Sequence, residues 1–149
     1  MATRNSPLDR VLPLFDHTHD TATTALVVGT ATLLAVVASW VVADFGLRFP
    51  AFAVAAIGSA YWLYRLETRR EILAGGLYML AALIGLTPIA MELHVLTVTG
   101  MEGVGPAAQH SLTISDLIVT LLFFAIAAIP ATAAFLLQNA GTVRSRLGL

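Results

Sequence analysis

At 149 residues, 58% hydrophobic and 11% charged, the chain is long enough for one domain and too poor in charge for a soluble one, which is typically about 25% charged. Its net charge of −1, with no lysine among its eight cations, leaves no basic stripe for nucleic acid, so no specific nucleic-acid binding is expected. The absence of cysteine excludes disulfides, thiolate zinc sites, iron–sulfur clusters and covalently attached c-type haem. With a mean hydropathy of +0.84, the class left is a polytopic membrane protein.

The first feature along the chain is the stretch DHTHD, with Asp16, His17, His19 and Asp20 just ahead of a long apolar run. A His-x-His pair shares an ion in an extended strand; on a helix the two rings would stand roughly 200° apart. Asp20 has a simpler role as the cap of a helix, with Thr21, Thr23 and Thr24 as competing caps. The run that follows, 21–43, is free of charge and predicts a membrane helix over about 22–44. Its apolar core is too long for a cleaved signal peptide, and no small-residue cleavage site stands out.

The second run, 49–64, lies between Arg48 and Arg65. Sixteen residues give about 24 Å, short of a roughly 30 Å hydrocarbon core. Both arginines can snorkel outward, which extends the helix to about 48–66. Tyr61, Trp62 and Tyr64 gather at one end, where amphipathic rings favour the membrane interface. The alternative is a re-entrant or interfacial helix. The third run, 72–91, is closed by Glu92 and predicts a helix over about 71–93. The fourth, 117–143, predicts one over about 114–140, with Thr113 or Ser115 as cap and Asp116 in its first turn. Pro88 and Pro130 fall inside these two helices and are expected to kink them.

The connections at 44–48 and at RLETRRE are short, whereas Gly100, Gly103, Gly105 and Pro106 break a longer loop before the fourth helix. The expected fold is all-α: a single membrane domain over residues 1–149, built as a four-helix up-down bundle. Arg4, Arg10, Arg65, Arg69, Arg70, Arg144 and Arg146 then share one side, and Arg48 alone lies on the other. By the positive-inside rule both termini are cytoplasmic, or face the interior of a virion.

Small residues allow close helix approach in lipid. Ala31, Ala35, Ser39 and Ala43 form one such stripe, and Ala51, Ala55 and Ser59 another at the same spacing. The first two helices are expected to pack through them, or to use them for contacts between copies. Gly75, Gly76, Ala81 and Gly85 offer close approach on the third helix, and Ala127 and Ala131 on the fourth.

Polar groups at the outer side, Glu92, His94, His110 and Asp116, are weak candidates for a zinc or iron site if the third and fourth helices are neighbours. His94 and His110 are also the one pair placed to share a haem, though neither lies within a span. The plainer reading is a polar membrane boundary, with no cofactor and no metal. There is no G-x-S-x-G elbow, no H-E-x-x-H and no phosphate-binding loop, so no enzyme is expected. No ionisable residue lies mid-span, where a pump or ion transporter normally carries one. At the inner face, Arg65, Arg69, Arg70, Arg144 and Arg146 can contact anionic lipid or a partner.

A lysine-free, arginine-marked chain with four spans over nearly its whole length, and no domain outside the bilayer, resembles the small four-span envelope proteins of haloarchaeal pleomorphic viruses. The resemblance rests on this pattern and on no motif, so no functional residue is carried over. It implies a structural role in a virion membrane. The sequence thus favours a non-enzymatic structural or scaffolding protein, whose partners are the bilayer and other membrane proteins or further copies of itself. An accessory subunit of a redox or metal-binding membrane complex is the alternative, and a small transporter or channel the second.

Overall fold

The computed structural model describes residues 19–42, 44–100 and 114–146, and these form four α-helices with no strand among them. The helices are α1 Thr21–Val41, α2 Phe45–Tyr64, α3 Arg69–Thr99 and α4 Ile114–Arg146. Three of them hold segments long and apolar enough to cross a membrane: Thr21–Val41, Arg69–Val95 and Ile114–Ala140. α2 is not among these. Its 20 residues reach about 30 Å, but Arg48 and Pro50 sit near its start and Tyr61, Trp62 and Tyr64 near its end.

Each start has a local cause. Asp20 caps α1, its Oδ1 accepting from the Thr23 N–H at 3.1 Å. Asp44 caps α2 in the same way, accepting from Gly46 N–H at 2.8 Å. α3 opens on a reciprocal capping box: Glu71 N–H donates to Thr68 Oγ1 at 3.2 Å, and Thr68 N–H donates to Glu71 Oε2 at 3.1 Å. α2 also passes through Pro50, which cannot donate to the carbonyl of Gly46 one turn earlier.

Two helices run on past their membrane-length segments: α3 continues from the segment Arg69–Val95 to Thr99, and α4 from Ile114–Ala140 to Arg146. Glu92 marks the end of the apolar run, but a polar side chain does not stop a helix. The helix stops where Gly100 takes a left-handed φ of 63°, the conformation that glycine adopts without a Cβ penalty. Their 31 and 33 residues span about 46 and 50 Å, so both helices project past a roughly 30 Å core. Both run uninterrupted through Pro88 and Pro130.

The packing departs from a closed bundle. α1 pairs with α2 as an antiparallel hairpin and lies beside α3 along its other flank. α4 packs on α3, and neither α1 nor α2 makes more than a marginal contact with it among the described residues. α2 also touches α3, so α1, α2 and α3 form a three-helix group to which α4 attaches through α3. In α4, Ala127 and Ala134, seven residues apart on one face, are buried, and Phe124 with Ala127 faces Gly85 of α3, while Leu121, Leu122, Ile129 and Phe135 are exposed. Only one narrow strip of α4 is flat enough for another helix. Its membrane-length segment is 11% buried, against 33% for that of α3.

The core sits where α1, α2 and α3 meet at one end. Val27, Leu34, Leu63 and Ile72 form its centre, with Leu26, Tyr64, Leu66, Met79, Leu80 and Leu83 packed around them. Of the small-residue stripes, Ala31, Ala35 and Ser59 are buried, and Ser39, Ala51 and Ala55 are half-buried. Ala43 lies outside the described residues.

Candidate functional site

The polar groups concentrate at the end of the molecule where α1 and α3 begin and α2 finishes. His19, just ahead of α1, forms a hydrogen bond through Nε2 to the Tyr64 carbonyl at 2.9 Å, and its ring stands edge-on to that of Tyr64 at 4.8 Å. The histidine thus tethers the start of α1 to the end of α2. Asp16 and His17 lie outside the described residues.

Next to it, Arg69 binds α3 to α1. Its Nε donates to Thr23 Oγ1 at 3.0 Å, and its Nη2 pairs with the Asp20 carboxylate. The same aspartate therefore caps one helix and anchors another. Hydrogen bonding from the Thr23 side chain holds the Asp20 carboxyl below its ordinary range, against a desolvation penalty. The Thr23 N–H and the Arg69 guanidinium add to that lowering. Since the folded state holds the proton less tightly than the unfolded one, this contribution is present above the ordinary value of 3.8. It is lost as pH falls through the lower, folded value. Thermal melts of Asp20→Asn are therefore expected to lack this acid-side loss, because asparagine still caps but does not titrate. Asp20→Ala, which removes cap and charge together, is expected to melt lowest at neutral pH. Equal melting of all three proteins at pH 7 would contradict the double role.

Arg65 and Arg70 complete this end. Arg65 lies over the Tyr61 ring, 4.3 Å from its centre, and donates to the Tyr61 hydroxyl. Arg70 reaches the other way and donates through Nε to the Leu137 carbonyl of α4. Three neighbouring arginines thus serve three different helices. Arg144 and Arg146 close α4, and nothing is described of their side chains.

The opposite end shows less convergence. Glu92 and His94 stand in the last turns of α3 rather than in a loop, and Asp116 in the first turn of α4. His110 and Glu102 lie outside the described residues. Among the described residues no group of three or more His, Asp or Glu is placed to hold a metal ion. Arg48, at the same end, folds back on the Val42 carbonyl at 3.2 Å and lies 5.6 Å over the Phe45 ring.

Between the two ends, hydroxyls turn inward on their own helices. Thr32 donates to Val28, Ser59 to Ala55 and Thr87 to Leu83, each one turn back, and Ser39 donates to Val36. No buried side-chain nitrogen or oxygen among the described residues lacks a partner. The outward surface over the same length is apolar, with Leu33, Val54, Ile57, Leu86, Leu121 and Ile129 all exposed. Sequence reasoning missed the Thr68–Glu71 box, although T-R-R-E carries its signal. It also missed the His19–Tyr64 and Arg69–Thr23 contacts, which join residues 45 and 46 positions apart and leave no local trace. Comparison with protein-family models, curated proteins and solved structures returns no match to this chain in any of the three.

Proposed function

We propose that this chain is a non-enzymatic structural protein of a membrane, spanning it four times, with the arginine-rich end on the inner side. The observation that carries the reading is the separation of polar from apolar along the helices. Asp, Glu, His and Arg occupy the helix ends alone, and Thr32, Ser59 and Thr87 between them donate to their own backbones. A conduction path would need polar groups facing a shared lumen, whereas hydroxyls bonded one turn back offer none. An exposed apolar surface of this extent suits lipid or another apolar protein face.

α2 counts as the fourth span in this reading because its polar ends are of interfacial type. Arg48 snorkels at one end, and Tyr61, Trp62 and Tyr64 mark the other. The chain has no cysteine, so single-cysteine labelling has no background. With Asp44→Cys and Glu67→Cys placed at either end of α2, a membrane-impermeant maleimide is expected to reach one from each side of sealed vesicles. Labelling of both from the same side would reduce α2 to an interfacial or re-entrant helix.

The finer proposal, a component of a viral envelope, rests on the resemblance in overall pattern. Gentle solubilisation of native membranes or particles, followed by mass spectrometry of co-purifying proteins, tests it. A dominant surface spike protein is the expected companion. Oxidase or dehydrogenase subunits in its place would sink the envelope role and favour an accessory subunit.

A further inference from the structure

We infer that the turn joining α1 and α2 is a membrane anchor seated in the headgroup layer of the bilayer face opposite Arg69. Trp40, Phe45 and Phe49 lie among the upper acyl chains, and Arg48 reaches the lipid phosphates. The inference rests on the membrane reading and fixes a depth within it: α3 and α4 stand out of the bilayer beyond that turn.

The turn is the most exposed apolar point of the molecule. Trp40 lies in the last turn of α1, and Phe45 and Phe49 open α2. At 80%, 83% and 78% they are the most exposed large apolar side chains among the described residues. Phe45, Arg48 and Phe49 share one helix face by their spacing. The Arg48 guanidinium lies over the Phe45 ring, and its Nε donates to the Val42 carbonyl. Among the described residues no carboxylate pairs with Arg48, since Asp44 beside it turns to the Gly46 N–H. The end of its fork is thus left for an acceptor outside the chain, and phosphate oxygens fit a guanidinium.

Length selects the bilayer as the partner. α1 and α2, of 21 and 20 residues, are about 30 Å long, one hydrocarbon core. The far end of the hairpin repeats the pattern, with Tyr61, Trp62 and Arg65 closing α2. Two aromatic belts with arginine, one core apart, match the two faces of a membrane. α3 runs parallel to α1 from the shared Asp20–Arg69 end, with Arg69 against Thr23 and Gly76 against Thr30. In that register Val41 lies level with Thr87, and the stretch 88–99, about 18 Å, runs on beyond the turn. It carries Glu92, His94 and Thr97, and the start of α4 carries Ser115 and Asp116. A bilayer face at the turn leaves these groups in water. A face at the end of α3 would instead sink Asp44 and Arg48 about 18 Å, past the middle of a roughly 30 Å core, where charge is costliest.

Trp40 and Trp62 are the two tryptophans of the chain, so Trp62→Phe leaves Trp40 as sole reporter and Trp40→Phe leaves Trp62. The full chain is reconstituted in phosphatidylcholine vesicles whose acyl chains are brominated either near the glycerol or near the methyl end. The shallow bromines are expected to quench Trp40 about twofold more than the deep ones. Thr97→Cys, in a chain with no other cysteine, is expected to react fully with a water-soluble maleimide present on both sides of the vesicles. Adding Arg48→Glu to Trp62→Phe sets a carboxylate among phosphates and is expected to lower shallow quenching of Trp40 about twofold, while Arg48→Lys retains it. Stronger quenching of Trp40 by the deep bromines, or a Thr97→Cys that reacts only after detergent is added, would overturn the depth. Unchanged quenching in Arg48→Glu would overturn the phosphate contact. Quenching of Trp62 without Trp40 would remove the anchor alone, and quenching of neither would refute the membrane reading itself.

Discussion

Gly76→Ala is expected to destabilise the α1–α3 pair by about 1–3 kcal/mol, and Thr30→Ser in the same chain is expected to restore most of the loss. The cause is a single steric conflict. A Cβ on Gly76 would lie 2.4 Å from Thr30 Cγ2 and 3.8 Å from Thr30 Cβ. The first distance is impossible without movement, and the second is ordinary contact. Threonine is stiff at χ1, so it yields less readily than a long flexible side chain would. Serine keeps the hydroxyl and lacks the offending methyl. Reversible unfolding in mixed micelles would supply the four stabilities of the double-mutant cycle, with a favourable coupling of about 1–3 kcal/mol between the substitutions. Additive effects would mean that the helices do not cross at this pair.

Gly75 makes a useful contrast. Its Cβ would lie 2.7 Å from Trp62 and 3.1 Å from Leu66, on the α2 side of α3. Adjacent glycines thus admit two different neighbours, one on each flank. This explains how α3 accepts both the α1 helix and the end of α2 within one turn.

How much of this was legible follows from which interactions are local. The runs 21–43, 72–91 and 117–143 identify three apolar helices because charge is absent over a bilayer's length. The Asp20 cap was legible for the same reason: its partner Thr23 is three residues away. The apolar run ends at Glu92, where polarity changes, while the helix itself ends at Gly100, where the backbone conformation changes. Which helix packs on which was not legible at all. A four-residue spacing of Ala31 and Ala35, or of Ala127 and Ala131, announces that a helix can be approached closely. It does not name which helix approaches, and Gly76 carries no mark of Thr30.

The same distinction governs the core. His19 was read against metal chemistry because its sequence neighbours are His17 and Asp20, whereas its actual partner is the Tyr64 carbonyl. The arginines were read as one inner-face set, yet Arg65, Arg69 and Arg70 turn to α2, α1 and α4 respectively. Charge placement along the sequence therefore grouped these cations at one end, and tertiary packing assigned each its helix.

Leu63→Ala and Ile72→Ala are expected to cost about 2 kcal/mol each, the lower end of the range for such truncations. Both side chains are 0% exposed and are the largest that are fully buried. In a soluble core the loss combines a transfer term with a cavity term. Here the transfer term fades, because lipid is as apolar as leucine, and the lost packing remains. Leu121→Ala on α4 provides the control. That side chain is 57% exposed and faces away from α3, so lipid replaces the missing atoms and the change is expected within about ±0.5 kcal/mol. Micelle unfolding of the three variants would separate these cases. A Leu121→Ala loss as large as that of Leu63→Ala would mean that α4 packs on protein rather than lipid. The oligomeric state of that variant would then identify a second copy as the cover, since a contact between copies weakens with dilution and a contact within the chain does not.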